Sequence, residues 1–148
     1  MNDIQMKISI PTDNDGYVLL KCPICGEYFK LTPNDCEDEG VLEIHCPSCG
    51  LCSDSYLTED VVELAMAMVQ NKVTDLIHNN LKKLERNKGG IVSFKVNQKP
   101  KHKLENPIWA GIQALTVTKF MCCERSAKIK LMLKFTGCYC PFCGVIRI

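Results

Sequence analysis

Three pieces of this chain share one chemistry: CPICG at 22–26, CPSCG at 46–50 and CPFCG at 140–144. In each, a C-x-x-C turn lets two thiolates converge on one ion, Pro pre-sets the turn, and the following Gly takes the backbone angles that close it. Cys22 and Cys25 are followed by Cys46 and Cys49 with twenty residues between the pairs, the spacing of a four-thiolate zinc site. Soft thiolates select zinc, and four of them leave no coordination position for a substrate. The expectation is a closed, structural site. Roughly 10–16 kcal/mol of apparent binding free energy then stabilises a lobe whose core is small.

The C-terminal cluster is less regular. CCERSAKIKLMLKFTGCYCPFCG, residues 122–144, holds five cysteines where a tetrahedral site needs four. Cys140 and Cys143 form the secure half, so their partners come from Cys122, Cys123 and Cys138. If the first pattern repeats, Cys122 and Cys123 complete the set, with sixteen residues between Cys123 and Cys140. Adjacent residues in a strand point to opposite faces, so both reach one ion only where the chain bends. The alternative replaces one of that pair by Cys138, whose C-x-C spacing to Cys140 is also tight; a third reading has no metal here. Two zinc ions are expected. Cys36 and Cys52 lie outside these turns and read as plain thiols. His45, beside Cys46, reads as a structural neighbour or a replacement ligand.

The elements that must position these turns follow from composition. An odd count of eleven cysteines, and an N-terminus MNDIQMKISI with no basic stretch and no long apolar run, favour metal ligands in a reducing cytoplasm over disulfides, with no signal peptide or membrane span. YVLLK, EYFKL and VLEI have strand composition, and TPND suits a turn or short helical start. LTVTKFM and the alternating AKIKLMLKF read as two further strands, and IVSFKV as another. Trp109 reads as a core anchor.

Between the clusters, Thr58 caps a helix that Gly89-Gly90 stops after Lys82, Lys83, Arg86 and Lys88. Val62, Met66, Val69, Val73 and Leu76 fall at alternating four- and three-residue steps, with Leu81 and Leu84 beyond as the stripe drifts. Such a face requires a cover, either the metal lobes or a second helix. His78 reads as a surface histidine and not as a ligand. The fold class expected is α+β, small and metal-stabilised, with an acidic module at 1–57, the helix at 58–88 and a basic module at 89–148.

Charge is split along the chain. Residues 1–57 carry three Lys against ten Asp and Glu, and residues 89–148 carry ten Lys and Arg against two Glu, although the net charge is only +1. Two readings compete: the basic segment meets nucleic acid, or the two segments attract each other. On the first, Lys95, Lys99, Lys101 and Lys103 form a phosphate-contacting arm, and Lys128, Lys130 and Lys134 line one face of a strand. On the second they are structural.

On the three C-P-x-C-G pieces the chain resembles small prokaryotic double zinc-ribbon proteins of the transcription-factor type. The resemblance implies two zinc-ribbon β modules joined by the helix, and zinc binding; ribbons serve transcription, translation, DNA processing and scaffolding alike, so it does not select a role. The expectation is a non-catalytic zinc adaptor that contacts nucleic acid through its basic lobe and a protein through its acidic lobe or helix. The alternative is a protein-assembly module, self-association through residues 58–88 included, with no nucleic-acid contact. Neither involves a membrane or a small-molecule substrate. Enzymatic readings require either an unliganded reactive thiol or an open metal position with His or carboxylate ligands.

Overall fold

A computed structural model describes residues 5–86, 95, 98, 100–108, 111 and 114–148. Lys88, Gly89, Gly90, Lys99, Trp109 and the IVSFKV stretch apart from Lys95 lie outside the described residues. Residues 1–59 and 108–148 form one compact unit, and residues 60–107 form another.

The first unit is built on two hairpins. β1 (Val18–Lys21) pairs antiparallel with β2 (Tyr28–Leu31), and β3 (Leu115–Phe120) with β4 (Arg125–Lys130). β2 also pairs antiparallel with β4, Lys30 opposite Lys128, which gives one four-stranded sheet in the order β1-β2-β4-β3. The acidic N-terminal and basic C-terminal segments thus share a sheet. Each hairpin presents its turn cysteines at its tip: Cys22 and Cys25 between β1 and β2, Cys122 and Cys123 between β3 and β4.

Phe29, Leu31, Phe120, Ala127 and Ile129, all 1 % exposed or less, form the centre of the core with Cys22, Cys46 and Cys140. Phe29 meets Tyr56 edge-to-face at 5.5 Å between centroids, and Phe120 meets Phe142 at 6.5 Å. Each hairpin therefore closes over its own aromatic pair.

Two stretches depart from the strand reading. AKIKLMLKF is not one strand: β4 ends at Lys130, whose partner Leu115 is the first residue of β3, and α3 (Leu131–Thr136) follows. The pairing strand has run out, and Leu, Met and Lys are strong helix formers. Lys134 consequently sits on a helix. VLEI forms no strand; only the bridge of His45 to Cys52 continues it. TPND opens α1 (Pro33–Glu37), where the Thr32 hydroxyl accepts from the Asp35 N–H and Pro33 occupies the first turn. Two short strands, β5 (Cys138–Tyr139) and β6 (Ile146–Arg147), flank the last turn.

The lysines on the sheet are paired with acids of the N-terminal segment. Lys30 and Lys128, facing each other across β2 and β4, converge on Asp13 Oδ2 at 3.1 and 2.7 Å, and Lys128 also reaches Asp15 at 2.6 Å. Lys128 is only 9 % exposed and lies over the Tyr17 ring. Lys130 Nζ is 2.5 Å from Glu27, and Arg125 holds Asp35 and Asp38 at 2.7 Å each. Lys128, Lys130 and Lys134 do not form one basic face.

In the second unit, α2 (Glu59–Arg86) begins directly after Thr58 and runs for 28 residues, about 42 Å at the standard rise. Its buried positions are Val61, Ala67, Asn71 and His78, so His78 is not a surface residue. Segment 102–105 lies against this side: the Asn71 amide donates to the Lys103 carbonyl and to Glu105, the Lys103 N–H donates to Asn71 Oδ1 at 2.7 Å, and His102 Nε2 lies 2.7 Å from Asp75. Val62, Met66, Val69, Val73, Leu76, Leu81 and Leu84 are instead 38–57 % exposed.

Asp13 is the shared anion of a half-hidden pair of ammonium groups. Burial alone would raise its carboxyl, but Lys128, the Tyr17 N–H, Lys30 and the Asp15 N–H outweigh this and hold it below the usual carboxylate range. Removing it strands Lys30 wholly and Lys128 in part. Asp13→Ala is expected to cost about 3 kcal/mol in chemical denaturation of the metal-loaded protein. A depressed acid stabilises above its unfolded value of about 3.9 and loses that contribution as pH falls below it. The gap between wild type and Asp13→Ala should therefore be full at neutral pH and narrow in acid; a gap independent of pH would refute the assignment.

Candidate metal centres

Three of the four cysteine turns have the same hydrogen bonds. In each C-P-x-C-G piece the first cysteine's N–H donates to the carbonyl five residues on: Cys22 to Glu27, Cys46 to Leu51 and Cys140 to Val145, at 2.9–3.0 Å. The glycine N–H donates back to that cysteine's carbonyl at 2.8–2.9 Å. This turns the backbone N–H groups toward the first sulfur and brings the second beside it.

The fourth turn is Met121–Glu124, between β3 and β4. Cys123 N–H donates to the Phe120 carbonyl, and Glu124 takes φ 54°, an unusual angle for a non-glycine residue. The chain bends at the adjacent pair, so Cys122 and Cys123 turn to the same side without a C-x-x-C spacer.

Two groups of thiols result. The sulfurs of Cys22, Cys25, Cys46 and Cys49 all lie within 4.8 Å of one another, as do those of Cys122, Cys123, Cys140 and Cys143. Cys25 lies 3.5 Å from Cys46, Cys22 3.8 Å from Cys49 and Cys122 3.5 Å from Cys143. Four sulfurs at Zn–S ≈ 2.3 Å in a tetrahedron are about 3.8 Å apart, so both groups have the size of a closed thiolate site. Cys138 belongs to neither; it is 2 % exposed in the core. Cys36 is exposed outside both groups.

Their acid–base chemistry also fits a cation. Burial would raise the Cys22 thiol, but the Cys25 and Ile24 N–H groups and the Cys25 and Cys46 thiols bring it down to about 7. Cys143 is likewise lowered against its burial, by the Val145 N–H and the thiols of Cys123, Cys122 and Cys140. Cys46 and Cys140, the most enclosed, are pushed far up by burial. Cys22 and Cys143 ionise more easily than free thiols, and the enclosed Cys46 and Cys140 need a positive charge beside them to do so.

The second turns of the two groups dock on each other reciprocally. His45 N–H donates to the Pro141 carbonyl at 2.8 Å, and Tyr139 N–H to the Pro47 carbonyl at 2.9 Å. The residue before each turn also lays its ring on the other turn's glycine. A Cβ at Gly50 would come within 2.7 Å of the Tyr139 ring, and one at Gly144 within 2.8 Å of His45. Both glycines have φ +73°. Sequence reasoning did not anticipate this docking; the only signal was an aromatic or imidazole residue directly before two of the three turns.

Of the lysines proposed to meet nucleic acid, Lys128 and Lys130 are paired as described, while Lys95, Lys101, Lys103 and Lys134 are exposed. No family model matches the chain, and no curated protein or solved structure was found to match it.

Two measurements check this geometry. Cys138→Ser should leave the metal content of the purified protein unchanged, whereas Cys140→Ser should lower it by one equivalent; loss of an ion from the first variant alone would reassign the site. Gly26 has φ +77° but open space around it. Gly26→Ala should therefore show only the backbone penalty of about 1 kcal/mol. Gly50→Ala and Gly144→Ala add a steric term of about 1–3 kcal/mol. Equal losses of stability in all three would exclude the docking described.

Proposed function

We propose that the chain is a double zinc ribbon in which both four-thiolate ions are structural, and that it acts as a protein-assembly module through α2. The coordination chemistry supports the first part: four thiolates suit zinc and leave it no open position. The observation that carries the second is the exposed run Val62, Met66, Val69, Val73 and Leu76. Its four- and three-residue steps assign these residues to the seam of a heptad, with Asn80 at the next seam position. Leu64, Asn71 and His78 fall on the opposite side, where the buried residues of the helix cluster. Met66, Val73 and Asn80 share one seam position and Val62, Val69 and Leu76 the other; a single Asn at such a position fixes the register of a paired helix, so the occupant proposed is α2 of a second copy.

A second reading, contact with nucleic acid, draws support from the exposed Lys95, Lys101, Lys103 and Lys134 alone. The pairing of Lys128 and Lys130 with N-terminal acids favours assembly over it. Among the described residues no helix is long and apolar enough to cross a membrane.

Sedimentation of the metal-loaded full chain should show a concentration-dependent dimer. Val73→Asp, which puts a charge on an exposed seam position, should shift the dissociation constant by at least tenfold with unchanged helix content by circular dichroism. A wild-type protein that stays monomeric to its solubility limit would rule out self-assembly. Binding to nucleic acid that weakens steeply with salt and is lost on charge reversal of Lys101 and Lys103 would favour the second reading.

A further inference from the structure

A third group of metal-ligating side chains lies beside the first centre and belongs to neither four-thiolate set. Glu43, His45 and Cys52 each offer a donor atom within 4.8 Å of the other two. Cys52 Sγ is 3.0 Å from His45 Nδ1 and 3.4 Å from Glu43 Oε2. The local chain explains why they meet. His45 and Cys52 form an antiparallel bridge, which sets their side chains next to each other, and Glu43 is two residues before His45, the spacing that shares one face of an extended chain.

The trio is held from three sides. The Cys46–Gly50 turn fixes the two bridged residues through the Cys46 N–H to Leu51 carbonyl bond, and His45 is set by the Pro141 carbonyl and by the space that Gly144 leaves for its ring. Tyr56 clamps both flanks: its hydroxyl donates to the Ile44 carbonyl, with that of Leu51 at 3.2 Å, and accepts from the Ser53 N–H at 2.9 Å. Ligands already held in place lower the entropic cost of binding an ion. Glu43 and Cys52 also border a cavity of about 430 Å³, to which Ser53, Asp54 and Tyr56 contribute walls.

We propose that Glu43, His45 and Cys52 form a third metal site, for a borderline divalent ion of the zinc and cobalt class. The donor set decides the class. A thiolate and an imidazole disfavour calcium and magnesium, and a mixed S, N, O set suits zinc, cobalt or nickel. The contrast with the four-thiolate centres is in openness. Three protein donors leave a four-coordinate ion one position for water, and Glu43 is exposed while His45 and Cys52 are half-buried. With that position open, the ion here exchanges more readily than one held by four thiolates. Binding displaces the Cys52 thiol proton and uses an imidazole nitrogen of His45 and a carboxylate oxygen of Glu43. This site is independent of the role proposed for α2.

The test is a metal count and a cobalt titration on the full chain. Wild type should bind one equivalent more of zinc than Cys52→Ala, and that equivalent should be the first removed by a mild chelator. Titrated with cobalt, wild type should show an additional weaker phase with the charge-transfer absorption of a single thiolate, absent from Cys52→Ala. Glu43→Gln alters only an exposed side chain, and should weaken the same phase at least about tenfold while the two tight phases persist. Because the readout is a difference between proteins, it holds whether or not the four-thiolate sites are full. Equal zinc counts and identical cobalt titrations in wild type and Cys52→Ala overturn the proposal and leave the trio a hydrogen-bonded cluster. If Cys52→Ala also loses the tightly bound ions, Glu43→Gln decides: loss or weakening of one equivalent supports the site, and an unchanged titration overturns it.

Discussion

The two four-cysteine groups are coupled by a pair of backbone hydrogen bonds. His45 donates to Pro141 and Tyr139 to Pro47, so each second cysteine turn is braced by the other. Cys46, Pro47, Cys140 and Pro141 are among the most buried of the described residues. The aromatic and imidazole rings fit only because the turns end in glycine, which serves at once to close the loop and to admit a neighbour. One residue type thus meets two demands, and the thiol groups and the core share the same buried residues.

The division of charge has its physical role in the same unit. Antiparallel pairing of β2 with β4 brings Lys30 and Lys128 face to face, a repulsive juxtaposition that only an anion can relieve. Asp13 relieves it, with Asp15 adding to Lys128, and Arg125 and Lys130 find Asp35, Asp38 and Glu27. The acidic and basic segments are complementary surfaces within one sheet. Of the two readings of the charge split, mutual attraction describes these residues.

Much of the chemistry was legible locally. C-P-x-C-G is a complete instruction for a turn, because its hydrogen bonds run only between residues four and five apart, and the three copies fold alike. The start of α2 after Thr58 and its basic last turn with Lys83 and Arg86 are equally local. The adjacent pair Cys122-Cys123 was the ambiguous case: strand geometry separates neighbours, and only the position of the hairpin bend decides whether they converge. AKIKLMLKF misled because alternation describes a strand only for as long as a partner strand accompanies it. The stripe on α2 was read correctly as apolar, but its spacing could not say that segment 102–105 lies on the other side.

What the amino-acid sequence determined by itself is the set of turns, the helix and the segregation of charge, since each depends on residues a few positions apart. What only the tertiary structure decided is which groups meet across long separations: the C-terminal lysines and arginine with the acids that neutralise them, and each second cysteine turn with the other. Those outcomes follow from strand register and from the docking of one turn on another. Both are set by the packing of residues about a hundred positions apart, such as Lys30 with Lys128 and His45 with Pro141. Local spacing carries no record of them.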